Sequence, residues 1–199
     1  MNNHLKMDRP ECALVESGIY MASGFYAKAD TLRKEFDQAI LGQRGEHCLT
    51  PLAYAYCENA YQFLTASAER CFCEEAVAEV IEALERWGHD VLGTSHVSTP
   101  QIRVYVRGCS RRLLRDDVAA PWHCMLFLTT DEDHKRCRVK VLREGVPETG
   151  TLHIGRIVSS VPVFNQLLVH STHEPYCVDG TPRSMNPLQG LVFLDGYLW

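Results

Sequence analysis

The chain lacks the features that mark membrane-spanning, exported and nucleic-acid-binding proteins. Its 199 residues contain no apolar run near the roughly 20 residues that span a bilayer. The opening segment, MNNHLKMDRPECALVESG, has no continuous apolar stretch of the kind found in signal peptides. Basic and acidic residues are interspersed and give a net charge of −5, which leaves no extended positive face for a phosphate backbone. We therefore expect a cytoplasmic protein that binds neither membranes nor nucleic acid.

Paired metal-binding cysteines and interdomain linkers are also missing. Of nine cysteines, only Cys71 and Cys73 are close in sequence, and no C-x-x-C motif with a second pair or a nearby histidine completes a zinc site. An odd number of cysteines in a chain of this length argues against a disulfide framework, so reduced thiols are expected.

No Gly/Pro/Ser-rich segment divides the chain, and 46% hydrophobic residues suffice for one core. The prediction is a single domain over residues 1–199.

Helical periodicity is confined to the first half of the chain. Apolar residues recur at three- and four-residue spacing over residues 25–40, which predicts one helix. A second helix is predicted to begin at the acidic residues Glu74 and Glu75, to bury an apolar stripe and to stop at Gly88. A third helical stretch is expected around residues 60–68. Residues 1–92 should therefore be mainly helical.

The hydrophobic period changes to two after Gly93. Apolar residues from Ile102 onward alternate with Arg103, Tyr105 and Arg107, as in a strand with one buried face. Further strands are predicted at residues 122–128, 137–141, 152–158, 163–169 and 191–198. Helices followed by a run of strands favour an α+β chain in which residues 93–199 are mainly β. The expected architecture is a double-stranded β-helix, the cupin-like jelly roll in which two sheets enclose a pocket.

Two regions of the chain carry a family resemblance. Residues 108–129 read GCSRRLLRDDVAAPWHCMLFLT, residues 164–178 read FNQLLVHSTHEPYCV, and residues 186–197 read NPLQGLVFLDGY. They resemble the motifs G-C-x-x-x-x-H-x-D-x-x-x-G-P-W, F-N-R-L-x-V-F-D-x-R-x-P-H-G-V and G-R-x-x-x-x-G-W of a bacterial prolyl-4-hydroxylase-like family of 2-oxoglutarate- and Fe(II)-dependent oxygenases. The resemblance implies the same jelly roll with N-terminal supporting helices.

The residues that bind iron and co-substrate in that family are replaced in this chain. The resemblance places the first histidine ligand at Leu114, the carboxylate ligand at Asp116, the second histidine at Tyr176 and the 2-oxoglutarate-binding arginine at Leu191. Two histidines and one carboxylate hold ferrous iron, and the arginine clamps a carboxylate through two charge-assisted hydrogen bonds. Only the carboxylate remains, so the sequence predicts no metal site and no cofactor.

The same resemblance places the altered positions inside the mouth of the barrel. Asp116, Tyr176 and Tyr105 are the candidate catalytic residues there, because a carboxylate in a mostly apolar pocket is suited to proton transfer. Alternatives remain open: Asp116 would otherwise close a turn or pair with Arg112 or Arg115, and Tyr176 would be a packing residue. The candidate substrate-binding residues are Leu114, Leu191, Phe193, Arg112, Trp122 and His123.

Histidines at other positions would allow a relocated metal site. His123 stands at the start of a strand and would combine with Asp116 and with either His170 or His173. Those two histidines are three residues apart in a segment expected to be extended, so at most one of them points into the barrel. Because a solvated histidine is the more common state, the relocated triad is an alternative and not the main hypothesis.

The sequence predicts the fold more sharply than the function. The leading hypothesis is a degenerate oxygenase-like protein that binds a small organic ligand and acts as a metal-independent enzyme, catalysing isomerisation, elimination or cyclisation in specialised biosynthesis. One alternative is a pseudoenzyme, an accessory or binding subunit of an intact oxygenase. Another is a non-haem Fe(II) oxygenase with relocated ligands. A small molecule is the expected partner, and a homodimer or a complex with a biosynthetic enzyme is the assembly to test.

Overall fold

Two antiparallel sheets face one another in the computed structural model, which describes residues 11–16, 18–42, 52–57, 60–109, 111–114, 118–130, 137–143, 156–180 and 182–199. In this part of the chain the larger sheet has the strand order β1-β2-β10-β7-β12-β5-β4-β3 and the smaller β6-β11-β8-β9. The strands are β1 Glu11–Glu16, β2 Ile19–Ser23, β3 Ala53–Cys57, β4 Ala60–Ser67, β5 Gln101–Tyr105, β6 Arg111–Leu114, β7 Trp122–Phe127, β8 Arg138–Arg143, β9 Arg156–Ser160, β10 Gln166–Ser171, β11 Tyr176–Asp179 and β12 Leu191–Leu198. This confirms the predicted double-stranded β-helix.

Strand β7 of the larger sheet has one face toward the smaller sheet and the other toward the helices. On β7, His123 contacts Tyr176 of β11 with ring centroids 4.9 Å apart, whereas Trp122 lies against Tyr20, which in turn contacts Trp87 of a helix. Successive side chains of a strand point to opposite faces. Both faces of β7 are therefore buried, which explains why its sequence is a nearly continuous apolar run.

Two α-helices of the described residues cover the outer face of the larger sheet. They are α1, Ala29–Ile40, and α2, Glu74–Leu92, and each buries one apolar stripe, as the periodicity predicts. Nη1 of the buried Arg33 on α1 donates a hydrogen bond of 2.9 Å to the carbonyl oxygen of Leu128, just beyond β7. Within the described residues no helix is long and apolar enough to cross a membrane.

The predicted helix at residues 60–68 is wrong. Ala60–Ser67 forms β4, which pairs with β3 on one side and β5 on the other. Leu64 lies opposite Val104, and Phe63 on the other face packs against Tyr105 at 5.6 Å. Because both faces are buried, apolar residues follow one another without a period of two. Residues 1–92 also contain β1, β2 and β3, so the first half of the chain combines its two α-helices with strands of the larger sheet.

The remaining strand predictions hold in position and differ at the ends. β5, β7, β8, β10 and β12 overlap the predicted segments, and the segment predicted at residues 152–158 corresponds to β9, with residues 152–155 outside the described residues. β6 and β11 have only four residues each and are not among the predicted strands. A segment that short has too few alternations to reveal a period.

Gly88 lies inside α2 and does not end it. The helix continues to Leu92 and ends at Gly93, whose φ of 73° lies in the left-handed region. A Cβ at Gly88 would lie 2.6 Å from the carbonyl oxygen of Thr94 and 2.9 Å from Cδ2 of Leu198. The close approach of backbone, and not helix termination, therefore requires glycine at this position.

Gly88→Ala should lower the free energy of unfolding by about 1–3 kcal/mol, because the added methyl group overpacks the contact between α2 and the loop after it. This loss should outweigh the better helix propensity of alanine. Urea unfolding followed by circular dichroism measures the change. Glu82→Ala, on the exposed face of α2, is the control and should have little effect. A Gly88→Ala protein as stable as the wild type would contradict the packing described.

Candidate functional site

A buried network of charged and polar side chains occupies the space between the sheets. Asp195 of β12 is at its centre: Oδ2 lies 2.6 Å from Nη2 of Arg103, and Oδ1 is hydrogen-bonded to Nε2 of His123. Nη1 of Arg103 donates to the hydroxyl oxygen of Tyr176 at 2.7 Å. None of these four residues is more than 8% exposed. Water therefore screens their electrostatic interactions only weakly.

His170 of β10 extends this network. Its Nε2 lies 3.1 Å from Nδ1 of His123, and its Nδ1 lies 2.9 Å from the carbonyl oxygen of Ser171. The ring of Tyr176 contacts both imidazoles, with centroid distances of 4.9 Å to His123 and 5.1 Å to His170. Tyr197 stacks on His123 at 5.0 Å. The two imidazoles are thus enclosed by hydrogen-bond partners and tyrosine rings.

Strand pairing brings these residues together from distant parts of the sequence. In the register of β7, His123 lies opposite His170 of β10 on one side and opposite Tyr197 of β12 on the other. Arg103 of β5 lies opposite Phe193 of β12. Register partners on adjacent strands are close enough for their side chains to contact one another. The network is therefore built on paired strands, which hold side chains more rigidly than loops do.

An aromatic wall adjoins the network beside β4 and β5. Tyr105 stacks on Phe193 at 5.8 Å and packs against Phe63 at 5.6 Å, and the guanidinium carbon of Arg103 lies 4.8 Å from the centre of the Phe63 ring. Leu191, where the resemblance expects the co-substrate arginine, is fully buried and lies opposite Tyr105 in the β5–β12 pair. The guanidinium of this region therefore comes from β5 and not from β12.

The charge of Arg103 is fixed by its surroundings. Burial alone would lower the pKa of Arg103, but the Asp195 carboxylate, aided by neighbouring tyrosine phenols, raises that pKa above its ordinary value. Arg103 is therefore a permanent cation. Burial, together with the same Asp195 charge, raises the pKa of the Cys124 thiol. Cys124 is consequently a neutral thiol and not a nucleophile.

The positions that would hold iron are adjacent, but their side chains do not suit it. Leu114 of β6 and Tyr176 of β11 are register partners, and partners of this kind have Cβ atoms about 4.5–5.5 Å apart, close enough to share one ion. Leucine has no donor atom. The Tyr176 oxygen accepts a hydrogen bond from Arg103, whose positive charge opposes a second cation there. Leu191 cannot clamp a carboxylate. These residues fit neither iron nor 2-oxoglutarate.

Of the relocated triad, the structure describes the candidate histidines but not Asp116. His123 and His170 both point into the barrel, whereas His173 is exposed, which confirms that at most one histidine of the pair at 170 and 173 points inward. Asp116 lies outside the described residues, and its role remains a prediction. Across the ranges that the structure describes, no three His, Cys, Asp or Glu side chains are grouped so as to hold a metal ion.

Trp122 requires a correction, since it does not line the interior. It lies on the face of β7 opposite His123 and packs on the helix side, 5.9 Å from the Tyr20 ring, because neighbouring strand residues point to opposite faces. The side chains of Arg112 and Leu114 lie outside the described residues, so their substrate-binding roles remain predictions. The predicted residues that are fully buried in the interior are Tyr105, His123, Tyr176, Leu191 and Phe193.

Arg103 and Asp195 belong to the network although no sequence motif assigns them a role. Each is a single charged residue within an apolar strand, in QIRVY and in LVFLDGYL respectively. A charged side chain in a strand that is buried on both faces needs a partner of opposite charge. That pattern in the sequence would have indicated a buried ion pair.

The fold defines the class of barrel. It is a double-stranded β-helix like those of solved 2-oxoglutarate-dependent oxygenases, and the network lies between its two sheets.

Particular solved structures show this likeness over most of the chain. A prolyl-4-hydroxylase from Pseudomonas putida aligns over 91% of this chain and 91% of its own, with a TM-score of 0.57 and 18% identity. An oxidoreductase of the 2OG-Fe(II) oxygenase family from Burkholderia pseudomallei aligns over 92% and 86%, with a TM-score of 0.62 and 12% identity. The non-heme alpha ketoglutarate dependent epimerase SnoN from nogalamycin biosynthesis aligns over 90% and 75%, with a TM-score of 0.63 and 8% identity. Neither a family model nor a curated protein sequence matches the chain.

Proposed function

We propose that this chain uses an oxygenase-type barrel to bind a small organic ligand and to move protons on it without iron or 2-oxoglutarate. The observation that carries the proposal is the buried Arg103–Asp195 ion pair, with Tyr176 bonded to the same guanidinium. A buried ion pair adds little stability compared with apolar side chains of similar volume. A barrel kept only as a scaffold would therefore gain little from these groups, which supports a functional reason for their presence.

Acid–base chemistry is the reaction type that these side chains support. Asp195 orients the imidazole of His123, as the carboxylate of a catalytic triad orients its histidine. The hydroxyl oxygen of Tyr176 accepts from Arg103, and a phenol hydroxyl can also act as a donor. Asp116 and Tyr105 are the other candidate proton carriers. Isomerisation, elimination or cyclisation in specialised biosynthesis would use such groups, and none of these reactions requires an oxidant.

An accessory or binding subunit of an intact oxygenase is the second candidate. The observation that favours it is the closure of the interior: His123, Tyr105 and Tyr176 are all 0% exposed. A ligand reaches these side chains only if the barrel opens. Stable co-purification with a homologue that retains a complete H-x-D motif would support this role over the enzymatic one.

An oxygenase with relocated ligands has less support from the donor atoms. Both ring nitrogens of His123 already have partners, Asp195 and His170, and Nδ1 of His170 faces the Ser171 carbonyl. A metal at this pair would have to replace the hydrogen bond between the rings. In the relocated triad the third protein ligand would be Asp116, which lies outside the described residues.

The purified protein should contain no stoichiometric iron and should form no succinate from 2-oxoglutarate after anaerobic reconstitution with Fe(II) and exposure to oxygen. The reason is that Leu114, Tyr176 and Leu191 stand where the resembled family has two imidazoles and a guanidinium. Metal analysis and quantification of succinate measure this, with the Pseudomonas putida prolyl-4-hydroxylase as positive control. Stoichiometric iron together with succinate would overturn the proposal and redirect the search to His123 and His170.

The ligand is sought separately, by native mass spectrometry of the protein purified without dialysis. A small molecule that is retained under native conditions and released on denaturation supports the binding role. Persistent absence of any retained molecule, after incubation with a metabolite extract of the source cells, argues against it. On the sequence grounds given above we expect a cytoplasmic protein without nucleic-acid or membrane partners.

A further inference from the structure

One donor of Arg103 is not used by the buried network. Nη1 donates to the hydroxyl oxygen of Tyr176 at 2.7 Å, and Nη2 lies 2.6 Å from Oδ2 of Asp195. Nε is buried as well, but it has no hydrogen-bond partner in the part of the chain that the structure describes. Native proteins leave few buried N–H groups without an acceptor, because such a group has lost its hydrogen bond to water. An acceptor atom from another molecule would satisfy this donor.

The other buried arginine of the described residues has no such donor. Nε of Arg33 donates to Oδ1 of Asp37 at 2.9 Å, and its two terminal nitrogens donate to the carbonyl oxygens of Leu128 and Leu188. Both arginines are buried to a similar degree, since Arg33 is 6% and Arg103 8% exposed. Arg33 thus engages all three of its nitrogens within the protein, whereas Arg103 keeps Nε for a further acceptor.

Aromatic rings flank this donor. The guanidinium carbon of Arg103 lies 4.8 Å from the centre of the Phe63 ring, and Phe63 packs against Tyr105 at 5.6 Å. Phe63 is 8% exposed, like Arg103, whereas Tyr105 and Tyr176 are fully buried. Arg103 and Phe63 are therefore the members of this group that solvent reaches. A flat apolar group suits the place, because aromatic rings favour stacked or edge-to-face neighbours.

The charge around Arg103 decides between a neutral and an anionic acceptor. Asp195 already balances the guanidinium, so a ligand carboxylate at Nε would be a second anion on a single cation. A buried charge without a counter-ion is costly. A neutral carbonyl oxygen accepts from Nε without adding charge. A hydrogen bond to that oxygen also makes the neighbouring C–H bond more acidic, and proton transfer is the chemistry proposed for this barrel.

We infer that Nε of Arg103 binds a carbonyl oxygen, and that the ligand is a neutral ketone or similar carbonyl compound with a flat apolar body packed against Phe63. The inference rests on the proposed function, because it names the class of ligand that the same barrel binds. In this arrangement Arg103 orients the ligand, and Asp195 holds the guanidinium in position.

The test uses three probes that share one benzene ring: acetophenone is a neutral ketone, ethylbenzene lacks the carbonyl oxygen, and benzoate is an anion. Each is titrated into protein labelled with ¹⁵N-arginine, and the Nε–H signals are followed by NMR. Acetophenone should shift the Nε–H signal of Arg103 and bind about 10–100-fold more tightly than ethylbenzene, the ratio expected for a hydrogen bond to a charged group. The Nε–H signal of Arg33, whose acceptor is Asp37, is the matched control and should not move.

Arg103→Lys provides a second measurement. Lysine keeps a positive charge beside Asp195 but has no Nε–H group, so the preference for acetophenone over ethylbenzene should fall to about one. The variant also identifies the Arg103 signal, which disappears from its spectrum. Where the variant folds poorly, the signal is assigned in the wild-type protein through the side-chain carbons, and the wild-type affinity ratio decides.

Four results would overturn the inference: equal affinity for acetophenone and ethylbenzene, tighter binding of benzoate than of acetophenone, binding of none of the probes, or an unmoved Arg103 signal. Native mass spectrometry separates this failure from failure of the proposed function. A retained molecule without a carbonyl group refutes the ligand class alone. The absence of any retained molecule argues against the proposed function, even where acetophenone binds at Arg103.

Discussion

Asp195→Asn should lower the free energy of unfolding by about 3–5 kcal/mol, the range typical for breaking a buried ion pair on one side. The substitution removes one negative charge and keeps the size of the side chain. It leaves the guanidinium of Arg103, which is buried between the sheets, without its counter-ion. A charge removed from water without a partner is among the most destabilising features of a protein interior. Urea unfolding followed by tryptophan fluorescence measures the loss.

The matched control is the same chemical change at the surface. Asp179 pairs with Lys140, both side chains are in contact with solvent, and this pairing holds the pKa of Asp179 below its ordinary value. Asp179→Asn should change stability little, because water screens an exposed pair and replaces its interactions. If Asp195→Asn lowered the free energy of unfolding as little as Asp179→Asn, this result would contradict a buried ion pair at the centre of the network.

The helices show how far sequence periodicity alone predicts this fold. The apolar stripe of α2 is periodic because only one face of that helix is buried. β4 looks helical in sequence because both of its faces are buried, and the contacts that make it a strand, such as Leu64 with Val104, come from β5. Long-range pairing overrides local preference in such segments. A single sequence contains no direct record of which strands are neighbours.

The candidate site is predictable at the positions that carry the family resemblance and not beyond them. Motif spacing and strand alternation assign Tyr176, Tyr105 and Phe193 to the interior, and all three are buried there. The partnership of Arg103 with Asp195 depends on β5 and β12 being neighbours, and the two residues are 92 positions apart in the chain. Spacing within a motif cannot reveal a pair of this kind. What the sequence does contain is one unexplained charge in each of two apolar strands.

Arg103→Met combined with Asp195→Asn should recover most of the stability that Asp195→Asn alone removes. The double variant has no buried guanidinium, so no buried charge lacks a counter-ion. Methionine fills much of the same volume beside Phe63. Replacing buried ion pairs by apolar residues is often neutral or stabilising by about 1–4 kcal/mol. A double-mutant cycle, completed with Arg103→Met, measures the coupling between the two side chains.

The double variant also separates stability from function. The amide that Asp195→Asn introduces can still form a hydrogen bond with Nε2 of His123, so this contact is kept without the charge of the carboxylate. If the network exists for ligand chemistry, this protein should be about as stable as the wild type and lose the small molecule retained in native mass spectrometry. If the double variant is instead as unstable as Asp195→Asn, the network holds the two sheets together. The charged residues of this barrel would then have a structural role. The ion pair would be one that the less polar side chains of the double variant cannot replace without a loss of stability.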